Sequence, residues 1–478
     1  MLNSSKHILH SSAQDSMVET QQTIAVKNLY IESYGCAMNF SDSEIIASIL
    51  SVHGYTIINK EEEADVIFLN TCAIRDNAEQ RIRQRLKHLK GNKRRNKELI
   101  VGVLGCMAER LKDQLLEEEK LVDIVVGPDA YRELPKLIAE VEMGQRAINV
   151  LLSKEETYGE INPIRLNTNG INAFVSIMRG CDNMCAFCVV PFTRGRERSR
   201  SPESIVAEVQ NLDKNGYKEV TLLGQNVDSY LWFGGGPKKD FRQLTTQEQE
   251  SSISFAMLLS LVAQAAPQMR IRFSTSHPKD LQQDVLETMK AHDNICKHIH
   301  LPAQSGSNRI LHLMNRGYTA EWYLQKIADI KMIMPECSIS GDIITGFCTE
   351  TTEDHLATLR LIEQCEFNFS FMYSYSERPG TMAAKKMPDD VDNATKALRL
   401  TEIIASQQKM SLFNNQKQIG KTVKVLVESV SKKSQTDWQG RTEQNIMCVF
   451  PKGNHKPGDF IKVKIESCTS GTLLCKLV

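Results

Sequence analysis

The sequence predicts an α/β chain in three parts: an N-terminal parallel-sheet domain, a central partial (β/α) barrel and a small C-terminal β-barrel of the OB kind. Three observations predict it. At 478 residues the chain is too long for one small core, and two to four domains are expected. Strand-length apolar runs alternate with helical segments up to about residue 412. Beyond about residue 420 the pattern changes to alternating β-type runs.

Residues 1–25 are polar, with no apolar centre, and are expected to form a disordered leader. The first arginine is Arg75, so an Arg-rich transit segment is not expected, and no run reaches the apolar length of a membrane span. A cytoplasmic protein is the expectation. Residues 26–142 read as repeated strand–helix units, with strands at 27–33, 64–70, 99–104 and 122–126. Helices are expected from about 43 to 53, through 88, and from 108 to 118. Ser41 and Glu44 have the spacing of a capping box for the first of them.

Cys36, Cys72 and Cys106 each follow one of the first three strands. The carboxyl ends of parallel strands share one edge, where ligand sites gather. The three thiols are therefore expected to meet as one metal site. The competing reading is three small buried residues at strand ends.

Residues 143–170 hold acids, Asn and Gly with little periodicity and read as a linker. Between 171 and 412, strand-like runs at 173–178, 219–223, 270–274, 298–300, 338–344 and 368–373 alternate with helices, the pattern of a partial barrel. The polar, Gly-rich stretch 234–250 reads as a loop insertion. Cys181 follows the first barrel strand, where barrel active sites form.

The last segment, 413–478, has β-type runs at 422–429, 445–450, 459–466 and 472–477. It carries eleven Lys and Arg against five Asp and Glu, a net of +6, in a chain with 58 of each sign. A localised basic module is the footprint of RNA binding; a solvated basic face is the alternative.

Thirteen cysteines, an odd count, argue against a full disulfide framework and fit a reducing compartment. Cys181, Cys185 and Cys188 form C-x3-C-x2-C with no fourth ligand in reach, the next histidine being His277. Three thiolates can hold three irons of a four-iron cluster and leave the fourth open to a small molecule. Structural zinc is the alternative, although it prefers paired C-x2-C knuckles and four closed ligands. Cys296, Cys337, Cys348, Cys365, Cys448, Cys468 and Cys475 show no ligand spacing and read mostly as small core residues. Arg194, Arg196, Arg198 and Arg200 recur at alternate positions. On an extended segment they share one face, a rail for RNA phosphates, unless neighbouring acids such as Glu197 or Glu203 pair with them.

The C-x3-C-x2-C run after an apolar strand resembles the signature of radical S-adenosylmethionine enzymes. The words YGCAMN at 34–39, LNTC at 69–72 and GCMA at 105–108 resemble the N-terminal cysteine motifs of the methylthiotransferases among them. TRGRERSR at 193–200 and LPAQSGS at 301–307 resemble the branch acting on tRNA, and the resemblance runs in order from about Val26 to the C-terminus. It implies a radical-SAM core over 171–412 and a TRAM domain over 413–478. It also implies two 4Fe-4S clusters, one on Cys181, Cys185 and Cys188 and an auxiliary one on Cys36, Cys72 and Cys106. The implied reaction is methylthiolation of carbon 2 of isopentenyladenosine next to the tRNA anticodon, with two S-adenosylmethionine molecules. The implied partners are the tRNA anticodon stem-loop, an electron donor and a sulfur source, with no membrane; a monomer is expected.

Gly224, Gln225, Gln304 and Ser305 stand where the resemblance places S-adenosylmethionine contacts. Cys348-Thr349 departs from the family's Pro-Gly and leaves the local backbone path open. Two sibling activities stay in view, on threonylcarbamoyl-adenosine in tRNA and on an aspartate of a ribosomal protein. Outside the family the alternatives are a zinc-stabilised RNA-binding protein without catalysis and a two-cluster electron carrier, which needs closed four-Cys coordination.

Overall fold

The computed structural model describes residues 26–73, 76–166 and 169–478, so the leader expected over 1–25 lies outside the described residues. The first domain is built on β1 (Lys27–Ser33), β2 (Tyr55–Ile57), β3 (Val66–Thr71), β4 (Ile100–Gly105), β5 (Ile124–Val126) and β6 (Ala147–Asn149). They form one sheet in the order β2-β1-β3-β4-β5-β6, every pair parallel. β3 and β4 are buried along their whole length, which is why their apolar residues run on instead of alternating. Around the sheet lie α1 (Ala37–Ser51), α2 (Asp76–Arg95), α3 (Cys106–Leu111), α4 (Asp113–Glu118) and α5 (Leu134–Glu142).

Three expectations are corrected here. α1 starts at Ala37, with Cys36 as its N-cap residue, so Ser41 and Glu44 lie inside the helix and form no capping box. Glu44 is buried and pairs with Arg165 at 2.7 Å. The helix expected over 108–118 is two helices, broken where Lys112 takes φ +52°. Residues 143–166 are a packed strap rather than the slack linker expected over 143–170. They contribute β6, and the buried Tyr158 receives a bond from the Tyr131 amide (3.0 Å) and donates to the Pro128 carbonyl (3.1 Å). Arg165 then joins Glu44 of the first domain to Glu208 of the second, at 2.7 and 2.5 Å.

In the second domain β7 (Asn172–Ser176) and the strands Glu219–Leu223 and Arg270–Ser274 make one parallel sheet. The strands His298–His300, Ser338–Thr345 and Phe369–Ser374 make another, and the two meet where Ile271 bridges Ile295. Among the described residues no ladder joins Phe369–Ser374 to β7, so the barrel is open on that side, as expected. Its helices follow from local signals. Pro202–Lys214 starts with Ser201 accepting from the Ser204 amide and Pro202 in the first turn, and buries Ile205, Val209 and Leu212 as one stripe.

A helix from Asn393 to Gln416, capped by Asp392, leads to a closed barrel of Thr422–Val430, Asp437–Thr442, Met447–Pro451, Phe460–Cys468 and Leu473–Leu477. The boundary expected at 413 thus falls inside a continuous helix, and the strand Asp437–Thr442, whose sequence DWQGRT lacks apolar alternation, adds a fifth strand. Cys448 and Cys475 pack in this barrel's core.

The small barrel plugs the amino-terminal end of the large one. Arg270 donates to the carbonyls of Arg441 (2.7 Å) and Lys424 (3.0 Å), and Arg272 to those of Glu443 (3.0 Å) and Thr442 (2.7 Å). Arg272 is balanced by the buried Glu219 at 2.8 Å. Arg272→Ala strands that carboxylate and two carbonyls, and is expected to cost about 3 kcal/mol. Calorimetry should then show the C-terminal barrel melting apart from the rest, where the parent chain melts the two together.

Candidate active site: two cysteine trios joined by an arginine

The loop carrying Cys181, Cys185 and Cys188 is pinned at both ends. Gly180 takes φ +79°, and a Cβ there would lie 2.0 Å from the Arg196 carbonyl oxygen, so only glycine lets the two segments cross. The Cys181 amide donates to the Gly195 carbonyl (3.2 Å), the Asp182 amide to Glu197 (3.0 Å) and the Ala186 amide to the Met314 carbonyl (2.9 Å). Asp280 receives bonds from Asn183 (3.1 Å) and Asn226 (2.7 Å), which ties the loop to the end of the Glu219–Leu223 strand. Burial, with the neighbouring Cys185, pushes the Cys188 thiol up to about 12, and burial with the Glu197 charge pushes Cys181 up as well. Thiols in such a setting ionise when a metal cation binds them. A guanidinium N–H of Arg316 meets the Cys185 sulfur at 3.1 Å.

The second trio sits where the parallel sheet puts it, at the carboxyl ends of β1, β3 and β4. Gly35, at φ +119°, leaves room for Cys72, whose Cβ lies 2.3 Å from where a Gly35 Cβ would be. Asn39 donates to the Thr71 carbonyl (2.9 Å) and Asn70 to the Asn39 carbonyl (2.7 Å), so the strand ends hold each other in place. A hydrogen bond with Cys72 and, against burial, the Arg194 charge bring the Cys36 thiol down to about 6; burial pushes Cys106 up. Among the described residues no three His, Cys, Asp or Glu side chains are grouped to hold a single metal ion. In a four-iron cluster each thiolate bonds a different iron, which asks for a wider set.

The arginine rail is corrected. Arg194, Arg198 and Arg200 are buried. Arg194 pairs with Asp42 at 2.8 Å and donates to the Cys106 sulfur at 3.1 Å; Arg198 pairs with Asp129, and Arg200 with Glu208. Only Arg196 faces solvent, near Asp182 at 3.3 Å. Alternation put Arg194, Arg198 and Arg200 in a common environment, but the environment is the first domain's carboxylates and Glu208 of the second domain's own helix, not phosphate.

The four expected S-adenosylmethionine contacts divide evenly. Both amide atoms of Gln225 and the amide oxygen of Gln304 are buried without a hydrogen-bond partner, and Gln304 holds φ +72°. Ser305 is spent on Thr358 (3.3 Å) and the Ser307 amide (3.2 Å), while Gly224 packs against Met178. His277 was missed as a site residue. Its Nε2 is buried without a partner, and burial with the Arg316 charge pushes its pKa down to about 2, so it is a neutral ring. Away from these residues, toward the C-terminal barrel, the lumen forms a cavity of about 610 Å³ lined by Phe174, Thr221, His300, Asp342 and the half-exposed Phe371 and closed by Arg441, Asn445 and Met447. At the departure from the family pattern, Thr349 adopts φ +63°, so the backbone there takes the turn that glycine favours.

Three family profiles match: "Uncharacterized protein family UPF0004" over 28–127, "Radical SAM superfamily" over 175–362 and "TRAM domain" over 416–478. A protein of Flavobacterium johnsoniae is 60% identical over 468 residues, covering 98% of this chain and 97% of its own. One of Amoebophilus asiaticus is 60% identical over 456 residues (95% and 93%), and one of Bacteroides fragilis 54% over 447 (94% and 95%). All three are named tRNA-2-methylthio-N(6)-dimethylallyladenosine synthase. Among solved structures, the radical S-adenosylmethionine methyltransferase TsrM of Kitasatospora setae, with cobalamin and a 4Fe-4S cluster bound, superposes with a TM-score of 0.52. It is 12% identical over 75% of this chain and 76% of its own, a likeness of fold.

The crossing at Gly180 generates a prediction. Gly180→Ala is expected to cost about 2 kcal/mol through strain and overpacking, and to lower iron bound after reconstitution severalfold. Thermal unfolding and iron assay check both.

Proposed function

The chain belongs to the family of tRNA-2-methylthio-N(6)-dimethylallyladenosine synthases, and on that premise we propose that two iron–sulfur clusters serve one reaction here, methylthiolation of carbon 2 of N(6)-dimethylallyladenosine beside a tRNA anticodon. The observation that carries the reading is the Arg194 bond to Cys106, which brings one cysteine trio against the loop bearing the other. Cys181, Cys185 and Cys188 would hold one cluster, and Cys36, Cys72 and Cys106 the other. S-adenosylmethionine and the clusters supply radical cleavage, the sulfur and the methyl group.

The residues of the chain do the rest. Gln225, Gln304 and neutral His277 offer unpaired polar atoms near the Cys185 side of the site, where Arg316 also lies. The first domain is seated on the barrel's carboxyl end through Arg194, and Cys36 there is exposed. A base within an RNA loop has to leave its stack to enter. In the lumen Phe174, Phe369 and Phe371 offer aromatic surface for an apolar isopentenyl group, beside a charged side formed by Arg272, Asp342 and Arg441. A tRNA substrate also accords with a cytoplasmic location and calls for an electron donor and a sulfur source.

RNA would be gripped by the C-terminal barrel. Lys424 faces Lys462 across one pair of strands and Lys464 faces Lys476 across the next, all four exposed and, among the described residues, only Lys476 with a carboxylate at hand, Glu466 at 2.7 Å. Like charges directly opposite destabilise a sheet unless an anion lies over them. Lys462→Glu with Lys464→Glu is expected to weaken tRNA binding and reduce the slope of log K against log salt by about 0.7–0.9 per lost contact. Fluorescence titration at four salt concentrations measures this.

The reaction itself is tested anaerobically with reconstituted enzyme, S-adenosylmethionine, a strong reductant and competing isopentenylated and threonylcarbamoylated tRNAs, read by nucleoside mass spectrometry. A methylthio gain on the isopentenyl nucleoside alone is expected. Replacing Cys181, Cys185 or Cys188 with Ala should abolish S-adenosylmethionine cleavage. Cys36→Ala, Cys72→Ala or Cys106→Ala should spare cleavage and stop sulfur insertion, and methylthiolation retained in any of them would sink the two-cluster reading.

A further inference from the structure

The Arg194 guanidinium spends its three nitrogens unequally. It is 2% exposed and lies six residues beyond Cys188 in the chain. Its Nη2 meets Asp42 at 2.8 Å, its Nε donates to the Cys106 sulfur at 3.1 Å, and its Nη1 is buried without a partner. A neutral thiol is a weak acceptor, so an N–H placed on it gains little unless the sulfur is charged. An unpartnered buried N–H costs roughly 1–3 kcal/mol unless an anion comes to it.

The charges around it do not pair one to one. Arg179 and Arg194 share Asp42, while Arg179 and Arg198 share Asp129. Within these ion pairs three buried guanidiniums share two carboxylates, and the sulfur in hydrogen-bond contact with the group is that of Cys106. The other trio has a matching contact. Arg316, 4% exposed, meets the Cys185 sulfur, but its remaining donors are taken by Tyr318 (2.9 Å) and the Pro302 carbonyl (2.9 Å).

We propose that Arg194 is a positioning residue that raises the reduction potential of the cluster on Cys36, Cys72 and Cys106 and fixes that cluster against the Cys181–Cys188 loop. A cation bonded to a cluster thiolate favours the reduced, more negative form, and hydrogen bonds to sulfur are among the levers by which a protein sets such potentials. The position of Arg194 just past the loop makes the same side chain a spacer between the two sites. The inference rests on the two-cluster reading.

The test uses the full-length chain with Cys181, Cys185 and Cys188 replaced by Ala, so that only the auxiliary cluster assembles. Iron and sulfide content and an EPR-monitored redox titration are measured with and without Arg194→Gln. The expected result is a cluster in both chains, with the potential of Arg194→Gln lower by at least about 59 mV, a tenfold change for one electron. An unchanged potential with the cluster retained overturns the inference and leaves the two-cluster reading standing. Lack of iron in the chain that keeps Arg194 overturns the two-cluster reading and the inference with it. Should Arg194→Gln lose iron or fail to fold, Arg194→Lys is read instead. It keeps the charge beside Asp42 and withdraws it from the sulfur, so a smaller negative shift is expected, and an unmoved or higher potential overturns the proposal.

Discussion

Two aspartates of the first domain, Asp42 and Asp129, hold three arginines of the second, and the placement of both cysteine trios depends on that buried charge cluster. Removing such groups from water costs several kcal/mol per ion, and the cost is met only when every charge has its partner in place. A small shift between the domains would leave a carboxylate or a guanidinium stranded. The interface is therefore selective rather than merely adhesive. Arg179 also donates to the Pro128 carbonyl at 2.8 Å and lies over the Tyr158 ring at 4.9 Å, with its Nε 3.4 Å from Asp129. Arg165 and the edge-to-face pair Phe40–Phe174, with centroids 6.1 Å apart, extend the contact toward the open side of the barrel.

Within that frame the two trios sit in different surroundings. The loop trio lies in a low-dielectric pocket that favours protonated thiols at Cys181 and Cys188, whereas Cys36 is held down by Cys72 and Arg194. A metal at the loop site would have to make those thiols anionic, whereas at the sheet edge the protein itself lowers one thiol, Cys36.

Much of the fold was legible because it rests on periodicity. All six barrel strands lie within two residues of their expected bounds, as short apolar or alternating runs set between helical segments. The placing of Cys36, Cys72 and Cys106 along one sheet edge was legible for a topological reason: parallel strands end on one edge. What failed was everything set by the partner rather than the period. Arg194, Arg198 and Arg200 do alternate, yet the sequence does not say whether phosphates or the carboxylates of Asp42, Asp129 and Glu208 await them. Glu44 has capping-box spacing, but Arg165, more than a hundred residues away, claims it. Residues 143–170 look like a linker because their contacts are single long-range anchors, Tyr158 and Arg165, and such anchors have no period.

The plugged barrel limits what the substrate can be. The Arg270 and Arg272 bonds fix the basic C-terminal barrel at the amino end of the large barrel's strands, while Gln225, His277 and Gln304 lie at the carboxyl end. Those strands are five residues long in Glu219–Leu223 and Arg270–Ser274, about 17 Å at 3.3–3.4 Å per residue. A substrate held at both ends must span at least that length and still deliver one reacting group to the space between the trios. A free nucleoside reaches one end only. A folded RNA, gripped along its backbone and able to flip a single loop base, meets both demands, and the lysine pairs then lie far enough from the chemistry to bind the backbone without crowding the base.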